Sequence, residues 1–299
     1  PENRGIGMAT INTMSGLLAI FSPYLAGTLL DATGVEWGMR VLYGVMAAFY
    51  AINAAINLRF LRETSAPAEP EFGWRDLPRA FREAYGGIPA LLRRFPRSLR
   101  AMTAVLILCF MSNAIAGPFW VVYARDQLGL SSERWGLILL VETLLRNAAI
   151  IPAGMLVDRY GRTRFMIGAL LLALVSVPLF AWSQTWGQVL ALRCVVALSI
   201  AFFMPACSAL LADITPREIR GRVMAAVGRG TVMIGASSGG TGGPGVGFLI
   251  TVPLMIGSLV GGYIYAYNRF LPWILSGVAL GISTLLALLF IRDPELAEA

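Results

Sequence analysis

Two charged side chains lie four residues apart in the middle of a long apolar stretch. Glu142 and Arg146 fall between Trp135 and Val157, where most other residues are apolar. A four-residue spacing places both on one face of an α-helix. In a helix that begins near Ser132, Glu142 lies about 15 Å along the axis. That depth is close to the middle of a bilayer core of about 30 Å.

Charges at that depth are costly. Insertion scales put each at roughly 2.5 to 3.5 kcal/mol. We therefore expect Glu142 and Arg146 to face the protein interior or a wet cavity, and to pair with each other. Two interpretations remain open: a substrate or proton pathway in which Glu142 is the protonatable group, or a structural ion pair.

Three more polar residues in apolar runs are candidates for the same pathway. Arg193 lies about four residues into its run, where it either contacts an anion or substrate in the interior or snorkels to the outer interface. Asn113 and Asn147 either line a cavity or form hydrogen bonds between helices. They are the better cavity candidates among the asparagines because their helices belong to one bundle.

The composition excludes several chemistries. All 24 basic residues are Arg, and the chain has no Lys and no His. A lysine Schiff base, a histidine metal ligand and a Ser-His-Asp triad are therefore impossible. The glycine-rich run Gly235–Gly245 lacks the Lys that a phosphate-binding loop needs, so we interpret it as a break between helices. We expect no cofactor, no metal and no enzyme activity.

The elements that position these residues are membrane-spanning helices. The chain is 57% hydrophobic and 14% charged, whereas soluble domains carry about 25% charged residues. Apolar runs long enough to cross a bilayer, about 20 residues each, recur along it. The eight predicted spans are Ile6–Leu30, Met39–Leu61, Ala101–Tyr123, Trp135–Val157, Phe165–Trp182, Val189–Leu211, Phe248–Tyr267 and Leu271–Ile291.

The arginines are distributed asymmetrically between the two sides of these spans. Loops and span ends on the side of the N-terminus carry 18, those on the opposite side carry four, and two lie deep within spans. Cytoplasmic loops are enriched in basic residues, so we predict that both termini and residues 62–100 are cytoplasmic. The net charge of +7 is then explained by anionic lipid rather than nucleic acid. No obligatory protein partner is evident.

The chain also contains an internal repeat. The pattern E-x-R-G-x-x-M-A begins at Glu2 and again at Glu218, and each copy leads to a span with P-x-x-x-G. The first two spans therefore correspond to the last two. Parallel repeats are typical of transporters. If the unit is six spans, four are missing before Pro1, and the chain is a fragment.

A short polar loop joins the fourth and fifth spans with the pattern G-x-L-x-D-R-x-G-R-x-R. Its glycine and charged residues are Gly154, Asp158, Arg159, Gly161, Arg162 and Arg164. The glycines permit a tight reversal, and Asp158 lies among three arginines. Composition alone is equally consistent with a basic loop that only sets topology. The pattern closely resembles the cytoplasmic loop motif of the major facilitator superfamily.

The resemblance implies an all-α membrane protein that matches helices five to twelve of a twelve-helix carrier. Residues 1–61 would be the last two helices of the N-terminal bundle, 62–100 a cytoplasmic linker, and 101–299 the C-terminal six-helix bundle. It also implies that Asp158 and Arg162 belong to a cytoplasmic gating latch. The expected function is secondary transport of a small solute across the cell membrane by alternating access, with proton coupling a possibility. The alternative is an integral-membrane enzyme or receptor without transport activity.

Overall fold

The computed structural model describes residues 20–60, 95–228 and 247–293. The chain divides into two compact units. One consists of Leu29–Pro96, and the other of Pro1–Thr28 with Arg97–Ala299. Several predicted features lie outside the described residues. They are the earlier part of the first predicted span, the first copy of the repeat, residues 62–94 of the predicted linker and residues 229–246.

Helices and short turns make up the described residues. The first described helix, α1, covers 20–33. The others are α2 (Val35–Phe60), α3 (Arg97–Ala116), α4 (Phe119–Leu128), α5 (Ser132–Tyr160), α6 (Arg162–Leu179), α7 (Trp186–Asp213), α8 (Arg220–Val227), α9 (Phe248–Tyr267) and α10 (Leu271–Phe290). Single 3₁₀ turns lie at Phe180–Trp182 and Arg217–Ile219. Seven of the described helical segments are long and apolar enough to cross a membrane, which confirms the all-α membrane class.

One predicted span is not a single helix. The predicted third span, Ala101–Tyr123, is interrupted between α3 and α4 at Gly117 and Pro118. Proline has no N–H and its ring clashes with the carbonyl four residues earlier, so the helix ends there and a new one begins. The helix α3 begins at Arg97, within the last residues of the stretch 62–100 that is predicted as the linker.

The bundle consists of two groups of three helices. In one group α7 packs on α5 and α6, and in the other α3 packs on α9 and α10. Contacts between α6 and α10 join the two groups. Glycines make several of these contacts close: a Cβ at Gly261 would lie 3.0 Å from the Ile115 carbonyl oxygen of α3. A Cβ at Gly277 would lie 2.7 Å from Pro178 Cγ of α6, so these glycines allow α9 and α10 to pack closely on their neighbours.

Candidate functional site

Two helices carry the charged residues at the centre of the bundle. Ser131 caps the start of α5 by accepting a hydrogen bond from the Arg134 N–H at 3.2 Å. Thr185 and Gln188 form a capping box at the start of α7. Such caps satisfy backbone N–H groups that have no partner within the helix. They fix the helix starts, so that Glu142 and Arg193 each lie about two to three turns from the start of their helix.

Glu142 and Arg193 form a buried ion pair between α5 and α7. The Arg193 Nε and Nη2 atoms donate to the same carboxylate oxygen, Glu142 Oε2, at 2.9 Å and 2.6 Å. Arg193 is 0% exposed and Glu142 is 4% exposed. The carboxylate thus compensates a guanidinium that has no access to water. This geometry is opposite to the snorkelling alternative for Arg193, which would place the guanidinium at the outer interface.

An aromatic cluster supports the other side of Arg193. Its guanidinium carbon lies 4.4 Å from the ring centre of Trp120, a cation–π distance. Trp120 in turn packs against Phe180 at 4.3 Å and Trp273 at 5.6 Å between ring centres. Tyr123 completes the cluster and donates its hydroxyl to the Ala181 carbonyl at 2.6 Å. Arg193 is therefore held between a carboxylate and a rigid wall of rings.

Two hydrogen-bond donors in this cluster have no acceptor among the described residues. They are the indole Nε1 atoms of Trp120 and Trp273, and both residues are 0% exposed. A buried donor without a partner costs about 1 to 3 kcal/mol. The two indoles therefore offer hydrogen bonds to any polar group that enters beside the ion pair.

The other predicted pathway residues are distributed along α3 and α5. Arg146 lies one turn beyond Glu142 and is half-buried, and Asn147 next to it is exposed. Asn113 has a buried side-chain oxygen with no donor among the described residues. The expected pairing of Glu142 with Arg146 is wrong. The fully buried Arg193 pairs with the Glu142 carboxylate instead. Contact between α5 and α7 brings these two charges together, whereas Glu142 and Arg146 lie one turn apart on the same helix.

The loop between α5 and α6 forms a second polar site. Arg162 forms ion pairs with Asp213 at the end of α7 and with Asp158 at the end of α5. In the pair with Asp158, Arg162 Nε lies 3.7 Å from Asp158 Oδ1. Asp158, Arg162 and Asp213 thus link α5, α6 and α7 at one end of the bundle. Gly161 makes the reversal with φ of +104°, a region that favours glycine.

A carboxylate from beyond α10 caps the start of α6. The backbone N–H and the hydroxyl of Thr163 both donate to Asp293 Oδ1, at 2.9 Å and 3.0 Å. Negative charge at a helix N-terminus is favourable because it meets the positive end of the helix dipole. Asp293 therefore ties the segment after α10 to the start of α6.

Gly154, Arg159 and Arg164 complete the predicted loop set. The Arg159 guanidinium carbon lies 5.4 Å from the Tyr160 ring centre, and Arg164 is exposed in the first turn of α6. A Cβ at Gly154 would meet nothing within 4 Å, so close packing does not require a glycine at that position.

Sequence reasoning missed Trp120, Asp213 and Asp293. Asp213 comes directly after an apolar run and Asp293 one residue after another, where a carboxylate can reach a helix end. Trp120 follows the Gly117-Pro118 break, which is the feature that could have signalled an irregular and functional segment. None of the three could be assigned a partner without the helix packing.

The fold and site define a multi-pass α-helical membrane protein with a charge pair sealed inside its bundle. Comparison with known proteins gives its family. The family model for the Major Facilitator Superfamily matches residues 102–299. The chain belongs to that superfamily.

Several curated relatives are multidrug resistance proteins. The chain is 22% identical over 227 residues to Multidrug resistance protein MdtG of Citrobacter koseri, covering 75% of the chain and 52% of that protein. It is 28% identical over 227 residues to MdtG of Serratia proteamaculans, with the same two coverages of 75% and 52%. Similarity to Multidrug resistance protein 1 of Bacillus subtilis is 29% over 170 residues, 57% of the chain and 39% of that protein. The chain spans about half the length of the curated relatives that it matches.

Proposed function

We propose that this protein is a secondary active transporter that moves a small solute by alternating access and is coupled to protons through Glu142. Membership of a transporter superfamily supports the class. One observation supports the mechanism: a protonatable carboxylate is 4% exposed and is held by a fully buried guanidinium inside the bundle.

The pair provides a physical link between a proton and helix positions. A proton on Glu142 removes the negative charge that compensates Arg193. A buried charge that loses its partner is strongly unfavourable, so a protonated Glu142 favours any arrangement of α5 and α7 that gives Arg193 water or an anion. A proton thereby shifts the balance between two conformations.

Drug-like molecules are the first solutes to test, because relatives are named as multidrug resistance proteins. The unpartnered indole donors of Trp120 and Trp273 would serve a solute with hydrogen-bond acceptors. Asn113, Arg146 and Asn147 are the further residues proposed for the pathway. Their polar groups lie in the same bundle as the ion pair.

We place the transporter in the cell membrane with both termini in the cytoplasm. The loop sequence from Gly154 to Arg164 would then be a cytoplasmic gate. The ion pairs of Arg162 with Asp158 and Asp213 support this role, because they join three helices at one end of the bundle and would have to break if that end opened.

The proton role can be tested in everted membrane vesicles. Cells that express the protein are first screened for reduced accumulation of a panel of drug-like solutes. A solute that responds is then followed in vesicles with an imposed pH gradient. Glu142→Gln keeps the side-chain shape but cannot lose or gain a proton. We expect gradient-driven accumulation to fall to the level of vesicles without the protein, while exchange of labelled for unlabelled solute persists.

The matched control is Glu133→Gln, the same change at an exposed position on the same helix. It should leave gradient-driven accumulation near the wild-type level. Unaltered accumulation in Glu142→Gln would eliminate the proton role. If the whole reading frame that contains this chain is expressed, binds a solute in the vesicles and yet moves none, the transporter proposal itself is eliminated.

A further inference from the structure

An apolar groove lies on the outer surface of the bundle beside the α5–α6 loop. Its volume is about 550 Å³, within the range of small-molecule sites, about 300 to 1,000 Å³. The stacked rings of Phe165 and Phe202, 5.4 Å apart between centres, belong to its lining. Leu171 and Leu172 are 46% and 41% exposed in the absence of lipid. The groove therefore presents an apolar surface where the bundle would meet the bilayer.

The groove has the length of one leaflet. It extends along α6 from Arg164 to Leu172, which corresponds to about 12 Å of helix at 1.5 Å per residue. Half of a bilayer hydrocarbon core is about 15 Å. Gly168 and Ala169 lie between these ends, and their small side chains leave the recess open.

The polar end of the groove carries positive charge. Arg164 lines it directly, and Arg159 stacks on Tyr160, which also lines it. Three described carboxylates at this end are engaged elsewhere: Asp158 and Asp213 pair with Arg162, and Asp293 accepts hydrogen bonds from Thr163. Arg159 and Arg164 have no carboxylate partner among the residues that the structure describes. Two cations therefore lie at the polar end of the apolar groove.

We infer that this groove binds an anionic phospholipid, with one acyl chain along α6 and the phosphate at Arg164 and Arg159. Arginine matches phosphate geometry through its fork of N–H donors. The apolar lining suits an acyl chain. The arginines lie at one end of the groove, where the headgroup of a lipid with its acyl chain in the groove would lie. The occupant is a lipid of the leaflet on the side of the α5–α6 loop, and it binds independently of any transported solute.

Two substitutions test the two halves of this site. Gly168→Leu fills the groove. A Cβ at Gly168 meets nothing within 4 Å, so the bundle should tolerate the substitution. Arg164→Gln removes a headgroup cation. The matched controls are Gly262→Leu on α9, where a Cβ also meets nothing, and Arg217→Gln, which is exposed outside the groove. Thermal unfolding of each purified variant checks that it is folded.

Native mass spectrometry of the purified chain, released from nanodiscs of equal phosphatidylglycerol and phosphatidylcholine, measures which lipid is retained. We expect preferential retention of phosphatidylglycerol. Arg164→Gln should lower it about fivefold, the effect of one basic residue at an anionic surface. Gly168→Leu should lower retention of both lipids, and the two controls should retain as much as the wild type.

Three results would overturn the inference. Equal retention of the two lipids by the wild type would show an apolar surface without a headgroup site. Equal losses in Gly262→Leu and Gly168→Leu would place the retained lipid elsewhere. No retained lipid, together with cross-linking of a cysteine at position 168 to another part of the protein, would show that protein covers the groove.

Discussion

Arg193 experiences the most extreme environment of any charged residue that the structure describes. It is 0% exposed, it donates two hydrogen bonds to one carboxylate oxygen, and it stacks on Trp120. Desolvation of two charges can cost more than their attraction returns. The pair is therefore poor evidence for stability, and its presence in an apolar bundle is better explained by function.

This balance predicts opposite results for single and double substitutions. Arg193→Met leaves the Glu142 carboxylate buried without a partner, and we expect a loss of about 3 to 5 kcal/mol in unfolding free energy. The double variant Glu142→Leu with Arg193→Met removes both charges and should recover most of that loss. Thermal unfolding in mild detergent measures both effects.

The exposed pair of Glu36 and Arg40 on α2 is the control. Its side chains are 80% and 64% exposed, and such pairs contribute about 0 to 1 kcal/mol. Arg40→Met should therefore shift unfolding little. If the double variant is as unstable as Arg193→Met alone, the loss comes from packing around Trp120 rather than from an uncompensated charge.

The candidate site could be predicted from sequence as a set of residues but not as a set of contacts. Glu142 and Arg193 are conspicuous because charge is rare in an apolar run. Their partnership depends on how α5 and α7 are rotated about their axes, and a separation of 51 positions along the chain carries no information on that. The four-residue spacing predicted a contact between Glu142 and Arg146 on one helix. In the structure Glu142 pairs instead with Arg193 of the neighbouring helix.

At the scale of elements, hydropathy predicts where helices lie and is weakest at their ends and interruptions. The described helices extend beyond several apolar runs because caps such as Thr185 lie in the polar loops. The break at Pro118 was missed because the residues on both sides of it are apolar. A bilayer-length apolar run does not distinguish one helix from two. Proline alone does not do so either, because Pro152 and Pro205 lie inside the continuous helices α5 and α7.

The reversal between α5 and α6 gives a prediction at this scale. Gly161 has φ of +104°, and a Cβ there would lie 2.8 Å from Asp293 Oδ2. Gly161→Ala should therefore cost about 1 to 3 kcal/mol in backbone strain and disturb the cap on α6. Gly154→Ala, in the interior of α5 with open space around it, should stabilise by about 0.5 to 1 kcal/mol. Similar unfolding temperatures for the two variants would contradict this account of the turn.

At the scale of the molecule, charge is segregated along the membrane normal. The loop from Asp158 to Arg164 and the loop after α7 lie at the same end of α5, α6 and α7, joined by the ion pair of Arg162 with Asp213. The opposite ends of these helices carry Ser131 and Thr185 caps and few arginines. Basic loops remain in the cytoplasm during insertion, so this segregation predicts one orientation.

Accessibility of single cysteines would test that orientation. The native cysteines are first replaced by alanine, so that only the introduced cysteine can react. They are Cys109 and Cys207, which are buried, and Cys194, which is half-buried. Gln184→Cys lies in the exposed turn before α7, and Arg217→Cys lies in the exposed turn after it. In intact cells a membrane-impermeant maleimide should label Gln184→Cys, whereas Arg217→Cys should react only after the membrane is permeabilised. The reverse pattern would mean that the arginine-rich loops face outward, and the α5–α6 loop could then not be a cytoplasmic gate.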